Sequence, residues 1–357
     1  MAKFYPLKVV NMRRETPDAV VVSLQPSSGA EERFQFMQGQ YLTFRKTLDG
    51  QELRRSYSIC AARGEHLLRV GIKRVDGGRF STWANENLKI GDTLEAMVPQ
   101  GRFNTPIEAD KERRYLAVAV GSGITPVLSL IKTILLEEPH SAITLVFGNR
   151  YISSVMFRQE LDELKNLYMN RFSILHIFSR DGGDVDLFNG RLDRARCATI
   201  FGAWVDVGAI DHAFVCGPQP LLETVSSVLM EFGLKPEQIK YELFAGGEFS
   251  KQPGKKSLLK DGNSQRETEL TVTIDGLAHR VSASPNQTIL ETALMHDLDA
   301  PYSCKAGVCA TCRCRILDGL VDMIANHALE DYEVEQGYRL ACQSYPRSKT
   351  LKVAFDI

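Results

Sequence analysis

The chain has 357 residues, 44% of them hydrophobic, and a formal net charge of −1. That length points to two or three domains, each with enough apolar material for its own core. A near-neutral charge balance offers no broad basic face for nucleic acid or an anionic membrane. The eight cysteines suit a reducing compartment better than a disulfide scaffold, so a cytoplasmic location is expected. Met1 to Glu15 lacks the long apolar run of a signal peptide.

Residues 1–108 read as short strands: Leu7–Val10, Ala19–Leu24, Gln40–Phe44, Ser56–Ile59 and Leu67–Lys73. Turn signals at Ser28-Gly29, Asp49-Gly50, Asp76-Gly77-Gly78 and Gly91-Asp92 fall at the spacing of an antiparallel barrel. Phe80 to Leu88 predicts one short helix. In Arg54-Arg55-Ser56-Tyr57-Ser58, strand alternation puts Arg55 and Tyr57 on one face and Ser58 on the other. A cation, an aromatic ring and a hydroxyl so close together would hold a flavin: Arg55 on a phosphate, Tyr57 on the ring, Ser58 on a ring nitrogen. The plain alternative is a surface strand that carries Arg and Tyr. Gly77-Gly78-Arg79-Phe80-Ser81 opens the helix, and its free N–H groups and Ser81 would take a pyrophosphate. An ordinary turn before a capped helix reads the same way.

From 111 to 244 strands alternate with helices, which predicts a doubly wound parallel sheet. The expected order is a strand at Arg114–Val120, a helix at Val127–Glu137, a strand at Ile143–Phe147 and a helix at Phe157–Leu167. Strands at Phe172–Phe178 and His212–Cys216 follow, then a helix at Pro220–Phe232. The most apolar stretch, Tyr115 to Leu136, is broken by Gly121-Ser-Gly-Ile-Thr-Pro126 and reads as strand, turn and helix, not a membrane span. That turn resembles the start of a dinucleotide fingerprint, with Pro126 where a glycine is usual. Ser179-Arg180 ends a strand, where a hydroxyl and a guanidinium would bind a 2′-phosphate and favour NADPH over NADH. A solvated loop arginine is the alternative. Cys216-Gly217-Pro218 ends another strand; a buried cysteine there is ordinarily packing.

Residues 245–267, rich in Gly, Ser and Lys, read as a flexible linker. The last domain, 268–357, has expected strands at Glu269–Ile274 and His279–Ala283 and a helix at Thr288–His296. Then comes Cys304-Lys-Ala-Gly-Val-Cys309-Ala-Thr-Cys312-Arg-Cys314, with Cys342 beyond. The spacing C-x4-C-x2-C with a distant fourth cysteine is that of a plant-type [2Fe–2S] centre ligated by Cys304, Cys309, Cys312 and Cys342. Ala306, Gly307, Ala310 and Thr311 leave room for the loop to curl and for N–H groups to reach sulfur. A zinc site would show two close pairs, and a Rieske centre would pair histidines, which His296 and His327 do not. Cys314 reads as a small buried hydrophobe.

Taken in order, these motifs resemble the ferredoxin-NADP reductase superfamily joined to a carboxy-terminal plant-type ferredoxin domain. The resemblance implies a Greek-key flavin barrel, an NADPH-binding α/β domain and a β-grasp cluster domain. It implies FAD as the flavin, with FMN the alternative, and NADPH as donor, with NADH the alternative. Ser58 would bond the flavin N5, and Thr125 and Cys216 would shape the nicotinamide pocket. Tyr241-Glu242-Leu243-Phe244 is similar to the segment that closes the flavin pocket. Cofactor contacts are implied also for Ile59, Lys73, Gly78, Arg79, Phe80, Gly121, Gly123, Arg150, Gly217 and Pro218. Leu53–Cys60, Phe147–Arg150 and Cys304–Cys312 are similar to the reductase subunits of phenylacetyl-CoA epoxidases, whose partner is a di-iron oxygenase. Reductases of ring-hydroxylating and steroid oxygenases share the domain order and give the alternative partner. A non-catalytic zinc-binding protein is the alternative from another class.

Overall fold

The computed structural model describes residues 3–181, 185–244 and 267–356. Most of the expected linker, from Ala245 onward, lies outside them. The described chain falls into two units. One holds residues 5–42, 57–181 and 185–244; the other holds residues 3–4, 43–56 and 267–356.

The amino-terminal strands are β1 (Tyr5–Thr16), β2 (Ala19–Pro26), β3 (Tyr41–Leu48), β4 (Gln51–Ser58), β5 (Leu68–Lys73) and β6 (Thr93–Ala96), with helix α1 (Arg79–Glu86). β1 pairs antiparallel with β2 and β6, and β2 with β5. Every residue from Ala19 to Leu24 is buried. Period-two alternation explains why: Ala19 and Val21 join the core of the following α/β domain, while Val20, Val22 and Leu24 point the other way. β3 and β4 are neighbours, joined by Asp49-Gly50 with φ of 51° and 73°. Two positive φ values in a two-residue loop match the twist of a hairpin.

The α/β domain runs β7 (Arg114–Val120), α2 (Ile124–Glu137), β8 (Ala142–Asn149), α3 (Arg158–Leu167), β9 (Phe172–Phe178), α4 (Arg194–Ala203), β10 (His212–Gly217), α5 (Gln219–Glu231) and β11 (Ile239–Leu243). All five strands are parallel, in the order β11-β10-β7-β8-β9. The chain leaves β7 on one side and returns to β10 on the other, so the crevice between the ends of β7 and β10 is the topological switch point. α4 has no counterpart in the sequence expectations; it buries only Cys197, Ile200 and Phe201, too thin a stripe to stand out. A buried carboxylate, Glu138, ties the connector to this domain. It accepts from Tyr115 Oη at 2.9 Å, Ser141 Oγ at 2.7 Å, Arg113 Nη1 at 2.9 Å and Glu108 N at 3.0 Å.

The last domain contains β12 (Thr268–Ile274), β13 (Leu277–Ala283), α6 (Ile289–Met295), β14 (Arg313–Asp318), β15 (Val321–Met323), α7 (Asp331–Glu335), β16 (Tyr338–Leu340), β17 (Ser344–Pro346) and β18 (Thr350–Ala354). Its main sheet runs β13-β12-β18-β14-β16, with β12 and β18 parallel and the other pairs antiparallel. Thr288 and Glu291 form a reciprocal capping box at the start of α6. The helix then lays Ile289, Leu290 and Ala293 into a core with Leu270, Val272 and Val353. Cys314 is fully buried in that core, and burial pushes its thiol up to about 12, as a packing role requires.

The switch point tolerates no added side chain at Gly123. A Cβ there would lie 2.5 Å from the Cys216 carbonyl oxygen. Gly123→Ala is therefore expected to lower stability by about 1–3 kcal/mol, read from the urea midpoint; an unchanged midpoint would show that the two strand ends can part.

Candidate functional site

Three strands of the larger unit deliver the first cluster of side chains. Parallel register sets Cys216 on β10 beside Glu242 on β11 and Ala119 on β7. Ser58, at the end of β4, donates to Glu242 Oε2 at 3.4 Å. Burial pushes the Glu242 carboxyl up from 4.5 to about 8, with the Ser58 hydrogen bond working the other way. Burial, and then Glu242, hold the Cys216 thiol well above its ordinary range. Cys216 is thus a neutral wall, not a nucleophile. Thr125 is buried, and its hydroxyl closes the turn by donating to Ser122 O at 3.0 Å. Its methyl reaches the barrel at Gly71, where a Cβ would come within 2.8 Å of Thr125 Cγ2. Phe244 N donates to Gly217 O at 2.9 Å, which fastens the closing segment to the β10 end. Pro126 is buried in the first turn of α2, whose N-cap is Gly123, and Pro218 is the N-cap of α5. Gly121 makes the preceding turn with φ of 56°.

The β4 motif alternates as expected. Arg55 is exposed and Tyr57 half-buried on one face, with Arg54 and Ser58 buried on the other. Arg55 Nη1 donates to Arg54 O at 2.7 Å. Tyr57 packs on Phe80 at 5.6 Å between ring centroids. Ile59 and Phe80 are core side chains, and the Ile59 N–H is spent on Gln40 O. The Ser81 hydroxyl serves the turn, accepting from Val75 N at 3.1 Å and donating to Gly78 O at 3.2 Å. Lys73 Nζ lies 3.5 Å from Asp18. Gly77 has φ of 68°, and Gly78 is the N-cap of α1. Among the described residues no side chain caps that helix, and its first turn holds no acidic residue, so its positive end would suit an anion. Arg79 is exposed in that turn.

On the other side of the sheet, Ser179 N and Arg180 N donate to Asn149 O and Arg150 O, both at 2.9 Å. The ends of β8 and β9 therefore present Arg150, Ser179 and Arg180 together, with Arg180 Nη1 3.5 Å from Tyr151 Oη. Two arginines whose backbones meet at strand carboxyl ends suit a phosphorylated nucleotide.

The second unit carries the cysteine loop. Its thiols interact as two pairs, Cys304 with Cys309 and Cys312 with Cys342. The Cys309 thiol and the N–H groups of Ala306, Val308 and Cys309 hold Cys304 down at about 6 against the effect of burial. Cys312, the Gln343 amide and the Gly307 N–H hold Cys342 below its ordinary range. Positive φ at Lys305, Gly307 and Ala310 turns these N–H groups inward. Among the described residues no three His, Cys, Asp or Glu side chains surround a single-ion position. Two thiol pairs lined by N–H donors fit a [2Fe–2S] cluster, which these four cysteines would hold. Arg54, buried at 6% exposure, has no role in the sequence reading; alternation sets it on the face opposite Arg55, but a cation there gives no sign along the chain of what covers it.

A barrel, a doubly wound sheet with a lined switch point and a paired-thiol domain together define a flavin- and nicotinamide-binding oxidoreductase with an iron–sulfur domain. Family profiles agree. An oxidoreductase FAD-binding domain matches residues 6–105, an oxidoreductase NAD-binding domain 117–227 and a 2Fe-2S iron-sulfur cluster binding domain 272–347. The chain is 39% identical over 360 residues to a subunit of the 1,2-phenylacetyl-CoA epoxidase of Escherichia coli (strain K12), covering 100% of this chain and 99% of that one. It is 30% identical to the ferredoxin reductase component of 3-ketosteroid-9-alpha-monooxygenase from Rhodococcus rhodochrous, over 98% and 96% of the two chains. Among solved structures, phthalate dioxygenase reductase superposes with a TM-score of 0.59 at 24% identity, over 99% of this chain and 98% of that one, a likeness of fold. The chain belongs to the ferredoxin-NADP reductase-type family of oxygenase reductase components, the family of that epoxidase protein.

The Glu242 shift has a testable consequence. Below pH 4.5 the carboxyl is protonated in the folded and unfolded chains alike. As pH rises from there to about 8, only the unfolded chain ionises, so the fold loses stability over that window and no more above it. In flavin-depleted protein, Glu242→Gln is expected to match the parent at pH 4 and to exceed it by a few kcal/mol at pH 8 in urea unfolding. A difference that does not change with pH would show a normally ionising Glu242.

Proposed function

We propose that this protein takes electrons from NADPH and delivers them one at a time to a di-iron oxygenase, the one that epoxidises phenylacetyl-CoA in the cytoplasm. The observation that carries the reading is full-length similarity to a phenylacetyl-CoA epoxidase component in a chain that also holds both the switch-point crevice and the paired thiols. Among the described residues no helix is long and apolar enough to cross a membrane.

When bound, FAD and the cluster supply the conversion of a hydride's electron pair into single electrons. The chain supplies position, exclusion of water and proton control. Ser58, hydrogen-bonded to Glu242, would bond the flavin ring through its hydroxyl. Glu242 holds a proton behind it, one hydrogen bond away. Buried Thr125 and Cys216 shape a dry wall for the nicotinamide. Arg55, Tyr57 and the open end of α1 would take the rest of the flavin. Arg150, Ser179 and Arg180 would grip the 2′-phosphate, and that grip favours NADPH. Cys304, Cys309, Cys312 and Cys342 would ligate the cluster.

A reductase for another oxygenase is the second reading, favoured by the 30% identity to the steroid monooxygenase component. The deciding experiment supplies the epoxidase oxygenase subunits, NADPH, oxygen and phenylacetyl-CoA, with and without this protein. Product only in its presence supports the epoxidase; NADPH oxidation with an artificial acceptor but no product moves the partner elsewhere.

Cys309→Ser is expected to abolish delivery to the oxygenase while sparing NADPH-dependent ferricyanide reduction; equal loss of both would contradict the relay. Arg180→Ala is expected to raise the KM for NADPH roughly ten-fold more than that for NADH, measured by steady-state ferricyanide reduction. An unchanged ratio would remove the 2′-phosphate role.

A further inference from the structure

The unit that contains the cysteine loop also contains residues 43–56, the greater part of the β3–β4 hairpin. Within that unit Arg54 lies where a charge is costly, at 6% exposure. Its Nε donates to Glu52 Oε1 at 2.8 Å, and its Nη2 stands 3.5 Å from Asp299 Oδ1. Among the described residues Nη1 has no hydrogen-bond partner. The guanidinium instead packs on aromatic faces, 4.2 Å from the ring centroid of Tyr302 and 5.0 Å from that of Phe4. Lys305 Nζ adds a second cation 4.4 Å from the Tyr302 ring. Two residues along the strand, Ser56 Oγ and Ser303 Oγ are 2.8 Å apart, and Ser56 is also 2.9 Å from Thr43 Oγ1. Ser303, 3% exposed, directly precedes the ligand candidate Cys304.

Stability alone does not ask for this arrangement. A well-packed apolar side chain fills such a site at lower cost than a guanidinium with an unmatched N–H. What the arginine adds is direction: a planar cation between ring faces, anchored by two carboxylates, fixes one orientation of the segment Asp299–Ser303 on β4. β4 is the strand that continues into Tyr57 and Ser58.

We propose that Arg54, with Tyr302, Asp299 and the Ser56–Ser303 pair, is a positioning latch that seats the cysteine loop on β4 and thereby sets the rate at which single electrons pass from flavin to cluster. The inference rests on the relay proposed above. Lysine lacks the planar face for ring packing, so it would keep the charge and lose much of the orientation.

The test uses the full holoprotein and the variants Arg54→Gln, Arg54→Lys and Asp299→Asn. Anaerobic rapid mixing with NADPH separates flavin bleaching from cluster bleaching by their spectra. Arg54→Gln is expected to leave the flavin phase unchanged and slow the cluster phase roughly ten-fold or more, with smaller slowing in Arg54→Lys and Asp299→Asn. Amide hydrogen exchange on the resting protein gives a readout independent of turnover. Faster exchange at residues 43–56 and 299–303, with unchanged flavin and iron content, is expected in Arg54→Gln. An unchanged cluster phase with unchanged exchange would overturn the latch. Loss of flavin or of the flavin phase would overturn it too, by placing Arg54 among the flavin contacts. A parent protein with no cluster phase at all would instead remove the relay on which the latch depends.

Discussion

Four cysteine sulfurs can share one loop, Cys312 and Cys342 buried and Cys304 and Cys309 half-buried, only if hydrogen-bond donors face them. Without donors, even one thiolate per pair is costly in a low dielectric; in each pair one thiol, Cys304 or Cys342, is held down and its partner, Cys309 or Cys312, is pushed up by it and by burial. Here the donors are backbone N–H groups, among them Ala306 N at 3.3 Å from Cys304 Sγ. Turning them inward demands positive φ at Lys305, Gly307 and Ala310. At Gly307 it also demands the absence of a side chain, since a Cβ would come within 3.0 Å of Gln343 Cγ and 3.1 Å of Ala325 O. Gln343 closes the arrangement, reaching Lys305 O at 3.1 Å and Cys342 Sγ at 3.5 Å. The sheet and α6 hold the two ends of this loop, and the loop then fixes the thiol pairs.

A comparable squeeze organises the nucleotide side. The ends of β7 and β10 approach so closely that Gly123 is the residue that fits against Cys216. That closeness brings a dry thiol, a raised carboxyl and a serine hydroxyl to one place. None of these groups is a nucleophile under the conditions the fold creates. A dry, uncharged lining of this kind would suit hydride chemistry on a bound flavin. The same economy shows in β4, where one face carries Arg55 and Tyr57 and the other carries Arg54, Ser56 and Ser58.

Much of this was legible in the sequence, for physical reasons. Cysteine spacing reports ligand geometry directly, so the loop could be read without a fold. Strand–helix alternation announced the parallel sheet, and Asp49-Gly50 announced the hairpin turn. Other features are invisible along the chain. That Ser81 spends its hydroxyl on Val75 and Gly78, or that Ile59 and Phe80 turn into the core, depends on how the turn folds. The expectations for Glu242 and Phe244 came from resemblance, since a five-residue strand beside β10 is too short to show a period of its own. Arg54 and Arg55 look alike in sequence; burial by Phe4 and Tyr302, distant along the chain, separates them.

The proposed relay requires one electron from NADPH to reach the centre that the thiols would hold. The most direct measurement is electron paramagnetic resonance of the anaerobic protein before and after NADPH, with iron, sulfide and zinc determined on the same sample. The account predicts a silent resting protein that contains iron and sulfide, and a rhombic one-electron signal of a reduced [2Fe–2S] cluster after NADPH. A zinc-bearing protein, or an iron–sulfur protein whose signal NADPH does not raise while dithionite does, would contradict it.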